Sequence, residues 1–180
     1  MVFPLPGCAV KRVRLFGKLP AHGDFVARGL DPAGQDMLDR WLSEALERAR
    51  ADHGATFEAA YDAAPAWRFV EDGAGGALAA SIDRAGRRFP VLLEIAGIAP
   101  EETAAAAWGC EELIREALSG WWDADRLVAA AAALPLASIL PRANGWWVED
   151  AQRQVIAAFS EARPARLIRA MLSMREEAQV

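Results

Sequence analysis

The sequence predicts one α/β domain, on three observations. An alternating segment near the start reads as a strand. A block between residues 67 and 95 holds bulky apolar runs broken by Gly and Asp and reads as strand-rich. The intervening and following stretches carry apolar residues at helical spacing. At 180 residues the chain fits a single domain, residues 1–180, and a globule of this size buries enough apolar surface to fold without disulfides or metals.

The elements follow in order. Residues 1–10, with Pro4 and Pro6, read as a loose leader. Arg12-Val13-Arg14-Leu15-Phe16 alternates as a first strand, followed by a loop through Gly17, Pro20 and Gly23. A long helix spans about Ala33 to Arg50, where Met37, Leu38, Trp41, Leu42, Ala45, Leu46 and Ala49 make one apolar stripe. A short helix is expected over Thr56 to Asp62. Trp67-Arg68-Phe69-Val70 is a strand, and Ala77–Ile82 and Phe89–Ile95 are two more. The short gap between the last two contains Gly86 and favours a hairpin over a crossover. Pro100, Glu101 and Glu102 open a helix whose face is drawn from Trp108, Leu113, Ile114, Ala117 and Leu118. Asp123 caps a further helix that Pro135 stops. Gly145–Val148 is a late strand or bulge, and helices are expected over Glu149–Phe159 and Pro164–Met174.

Composition narrows the function. Hydrophobic residues make up 53% of the chain, but much of that is alanine, so the seven Trp and seven Phe must supply core bulk. The net charge is −5 and basic residues form no stripe, which argues against nucleic acid as a partner. Two cysteines, Cys8 and Cys110, have neither disulfide-scaffold nor metal spacing and fit a reducing compartment. Neither a signal peptide nor an apolar run of membrane length is present, so a cytoplasmic protein without membrane insertion is expected.

No pattern of residues points to catalysis, a metal or a cofactor. Gly17–Asp24 follows a strand as a phosphate loop does, but lacks Gly-Lys-Ser/Thr at its end, and Asp24 would repel phosphate. His22 and Asp24 can be read as an acid–base or metal pair, or as parts of a tight turn; the turn is the simpler reading. Asp83-Arg84-Ala85-Gly86-Arg87-Arg88 either grips an anionic partner or is a charged hairpin tip. Trp121-Trp122 and Trp146-Trp147 either anchor a partner or fill the core, and core is favoured. Lys18, His22, Asp24, Asp83, Arg84 and Arg87 are therefore the candidate binding residues, with loop-fixing as the alternative role. A carboxylate of Asp24 or Asp83 is expected close to one of the basic groups, because charges at a buried sheet end must find partners.

Three motifs stand in order: Gly17-Lys18-Leu19-Pro20-Ala21-His22-Gly23-Asp24-Phe25, Ala66-Trp67-Arg68-Phe69, and Ser81-Ile82-Asp83-Arg84-Ala85-Gly86-Arg87-Arg88-Phe89-Pro90. With Trp146-Trp147, they resemble the TagF family, also called ImpM, associated with bacterial type VI secretion. Ala80 and Val148 depart from residues common in that family. The resemblance implies a three-layer α/β/α domain with a mixed, largely antiparallel sheet. It also implies a non-enzymatic, cytoplasmic, post-translational repressor of secretion-system assembly, needing no cofactor. The implied partner is a protein, in some systems a forkhead-associated scaffold. An assembly adaptor of the same machine and a small-molecule-binding domain are the alternatives.

Overall fold

A computed structural model describes residues 10–174 of the protein. Cys8 and all of the expected leader except Val10 lie outside those residues. Among the described residues seven strands form one sheet in the order β2-β1-β5-β4-β3-β6-β7, and every pairing is antiparallel. They are β1 (Arg12–Gly17), β2 (Val26–Arg28), β3 (Trp67–Glu71), β4 (Ala74–Ala79), β5 (Val91–Ala96), β6 (Gly145–Glu149) and β7 (Val155–Phe159). Among the described residues five α-helices accompany them: α1 (Pro32–His53), α2 (Phe57–Asp62), α3 (Thr103–Gly120), α4 (Ala124–Ala133) and α5 (Leu167–Ser173).

The helices cover both faces of the sheet, giving the expected three layers. On one face, Leu38, Leu42, Leu46, Phe57, Tyr61 and Ile168 of α1, α2 and α5 meet Phe16, Trp67, Phe69, Leu92 and Trp146 of the strands. This core is rich in aromatics. On the other face, Ala106, Cys110, Ile114 and Ala117 of α3 and Leu127 and Ala131 of α4 meet Leu15, Ala77, Val91, Leu93 and Ile95. That core has no fully buried aromatics, and its helices contribute mainly alanine where helix and sheet approach closely. A Cβ on Gly75 of β4 would lie 1.9 Å from the Thr103 carbonyl oxygen at the start of α3. The two kinds of core divide the labour that composition implied: alanines set distance, and Trp and Phe fill volume.

Local chemistry sets the boundaries. Asp31 caps α1 by accepting from the Gly34 N–H, and Pro32 occupies its first turn. Asp123 caps α4 through the Arg126 N–H. Asp72-Gly73 turns β3 into β4, with Gly73 in the left-handed region. β4 and β5 form the expected hairpin. Its paired strands run Ala74–Ala79 and Val91–Ala96, and an isolated bridge joins Ile82 to Arg88 at the tip.

Two expectations are corrected and one strand is added. The segment 149–159 is not a helix: it is the end of β6, a turn and β7, because the Asp150 carboxylate accepts from the Gln152 and Gln154 N–H groups and reverses the chain. β2 was not anticipated; it is three residues long, too short for an alternation signal. The buried face of α3 runs through Ala104, Ala107, Cys110, Ile114 and Ala117, with Trp108, Leu113 and Leu118 half-buried at its flanks.

Candidate functional site

The first and third sequence motifs meet at one end of the sheet. β1 pairs with β5, so the loop leaving β1 at Gly17 lies beside the hairpin tip that enters β5 at Pro90. Gly17 has φ +130°, and a Cβ there would sit 2.1 Å from the Pro90 carbonyl oxygen. Only glycine fits this crossing.

Asp83 lies at the centre, with 1% of its surface exposed. Its Oδ2 accepts from Lys18 Nζ at 2.9 Å and from Arg87 Nε at 2.7 Å. Its Oδ1 accepts from the backbone N–H groups of Ala85 and Arg87, each at 2.9 Å. Burial on its own would raise the Asp83 pKa. The Lys18 ammonium and the Arg87 backbone and guanidinium donors outweigh that and hold it well below the usual carboxylate range. With both oxygens doubly engaged, the carboxylate is a poor proton acceptor and has no lone pair free for a metal. Its chemistry is to hold two loops in one geometry.

The remaining contacts extend the same lock. Ser81 Oγ donates to the Lys18 carbonyl oxygen at 2.7 Å. The buried Tyr61 hydroxyl accepts from the Ser81 N–H at 3.2 Å and donates to the Ser81 carbonyl at 3.3 Å, and burial pushes this phenol well above its ordinary pKa. The Arg84 N–H donates to the His22 carbonyl at 2.8 Å. The Arg84 guanidinium donates to the Ala21 carbonyl, and Arg87 donates to the Gly23 carbonyl at 2.6 Å. Lys18 Nζ also lies 4.9 Å from the centre of the Phe25 ring.

The sequence candidates thus separate. Lys18, Asp83 and Arg87 form one ionic cluster, and Arg84 ties the hairpin to the loop through a carbonyl. His22 faces elsewhere: its Nε2 accepts from the Ala124 N–H at the start of α4, at 3.0 Å. Asp24 is exposed and accepts from its neighbour Phe25 N–H at 2.8 Å. Of the two carboxylates proposed for the ion pair, Asp83 makes it and Asp24 does not. Among the described residues no group of three or more His, Cys, Asp or Glu side chains is placed to hold a metal ion. Cys110, on the sheet-facing side of α3, is buried, and desolvation raises its thiol pKa well above normal.

The other motifs meet across β3 and β6, where Arg68 pairs in register with Trp147 and Phe69 with Trp146. Both indoles are buried, on opposite faces of the sheet. Arg68 reaches Glu149 at 2.9 Å and also contacts the Glu111 carboxylate on α3. Glu149 accepts from Trp147 Nε1 at 3.0 Å and Trp108 Nε1 at 3.4 Å. This cluster staples α3 to the sheet. Sequence reasoning missed Glu149 and Glu111; the available signal was Glu149 two residues after Trp147, hence on the same strand face.

Beside the locked loops lies an apolar cavity of about 310 Å³ walled by Pro20, Tyr61, Ala80, Ile82, Leu118 and Trp121. Trp121 follows α3 in a left-handed conformation (φ +52°) and is 62% exposed.

Residues 14–134, more than half of the chain, match the family described as "TagF N-terminal domain, Type VI secretion system-associated". No curated protein matches the chain by sequence. The fold is similar to that in the crystal structure of PA0076 from Pseudomonas aeruginosa PAO1, with a TM-score of 0.69 and 24% identity over 89% of this chain and 93% of that one. Among the described residues no helix is long and apolar enough to cross a membrane.

Proposed function

This chain belongs to the TagF N-terminal domain family, and from that premise we propose that it is a cytoplasmic, non-enzymatic regulator that represses assembly of a type VI secretion system after translation. It acts by binding a protein, for which a forkhead-associated scaffold of the system is the leading candidate. The observation that carries this reading is the joining of two family-like motifs into one rigid surface locked by the buried Asp83, whose carboxylate oxygens accept from donors of both loops. Such a surface is pre-organised for recognition, and pre-organisation lowers the ordering cost of association.

The test is deletion of the gene in a host carrying the secretion cluster. Repression predicts more effector release and more assembled sheaths in the deletion strain, reversed by supplying the intact chain. Lower release would favour the adaptor reading, and unchanged release in every background would defeat both.

A further inference from the structure

We propose that the cavity beside Trp121, together with the Arg84 guanidinium, is the docking site for a partner segment that presents a bulky apolar side chain next to a carboxylate. The inference rests on the protein-binding reading above and specifies where and with what chemistry that binding occurs.

Three observations converge on it. The first is backbone strain. Trp121 holds a left-handed conformation that a non-glycine residue adopts only at a cost, and this places an exposed indole at the cavity rim. A glycine there would end α3 as well, so the indole is not needed for the turn. The second is apolar surface. Ile82, 38% exposed, stands on the hairpin, and Pro20 and Leu118 complete walls that bury an aliphatic or aromatic side chain. Asp62 also borders the cavity, but both of its oxygens are held by Arg88, at 2.8 and 2.7 Å. The third is charge. Arg84 is exposed, and its guanidinium is anchored to the carbonyl of Ala21, next to Pro20 in the wall. Among the described residues it has no carboxylate within ion-pair distance. A guanidinium fixed by one bond and open to solvent on its other donors suits a carboxylate. Neither Arg84 nor Asp24, the exposed acid of the loop after β1, is a wall residue; Arg84 stands two positions after the wall residue Ile82, at the cavity's flank.

The experiment uses the purified full chain as bait for a random-peptide display library, so that no partner need be known. Selected peptides are measured by titration and by NMR of the bait. The expected outcome is a consensus pairing a large apolar residue with Asp or Glu, shifts at the Trp121 indole N–H and the Ile82 methyls, and a tenfold or greater loss of affinity in Trp121→Gly. That variant removes the side chain and relieves the backbone, so lost binding cannot be assigned to unfolding. Arg84→Glu is expected to change the selected charge from acidic to basic. Peptides without charge preference, peptides whose shifts map elsewhere, or no selection at all would each overturn the docking site. None of those results bears on the deletion phenotype, so the regulatory reading stands or falls separately.

Discussion

Lys18 Nζ lies 2.9 Å from Asp83 Oδ2, and both side chains are almost wholly removed from solvent. Neutralising the acid strands a buried ammonium, which costs far more than the pair contributes. Asp83→Asn is therefore expected to lower the melting temperature by on the order of 10 °C. Asp24→Asn, at an exposed site, should move it by about a degree or two. Differential scanning calorimetry of the two variants compares them directly.

Acid should destabilise the fold through the same contact. The folded-state pKa of Asp83 is depressed, so the folded state holds fewer protons than the unfolded chain across that interval. Its stabilising contribution is complete above the ordinary carboxylate range and is lost as pH falls through that range toward the folded value. Glu94 has the opposite sign: burial raises its pKa, only partly offset by Arg14 at 2.7 Å. Its contribution grows as pH falls from neutrality into the ordinary glutamate range. Urea unfolding across acidic pH should show a steep loss that is shallower in Asp83→Asn, while Glu94→Gln should remove the opposing slope.

The glycines of the first motif should differ sharply. Gly17→Ala forces a Cβ onto the Pro90 carbonyl at positive φ and is expected to cost about 3 kcal/mol or more. At Gly23 an added Cβ meets nothing within 4 Å, and its φ is ordinary. Gly23→Ala should stay within about 1 kcal/mol of the parent, on the stabilising side, because it restricts the unfolded chain. Chemical denaturation of both variants separates a required glycine from a permitted one.

Arg68→Ala should cost about 2–4 kcal/mol, since it leaves Glu149 and Glu111 facing each other without their shared cation. Trp147 reports on that site, because its indole N–H donates to Glu149. A blue-to-red shift of tryptophan emission before global unfolding is expected in this variant and not in the parent.

Much of this architecture was legible in the residues. The stripe on α1 and the Asp123 cap of α4 are local signals, and local signals survive folding. The pairing of a carboxylate with Lys18 or the hairpin arginines followed from the need to compensate charge at a buried sheet end. What failed depended on long-range packing. The face of α3 is set where Gly75 of β4 lets the sheet close against Thr103 and Ala106, and nothing within α3 announces that. β7 reads Val-Ile-Ala-Ala-Phe and holds its strand form only because β6 pairs with it across the Asp150 turn. The role of His22 as an acceptor for α4 joins residues 102 positions apart, and no spacing rule reports it.

The strand order has a consequence for how the chain is made. β1 is made before the other six strands of the sheet, yet its neighbours are the three-residue β2 and the much later β5. Lys18 and Asp83 are 65 residues apart, so a nascent chain that has not yet extruded the hairpin carries an ammonium with no counter-ion and a loop with nothing to lean on. The first of the three motifs to be made is thus completed late, and a product truncated before Val91–Ala96 lacks the surface altogether, whatever helices it has already formed.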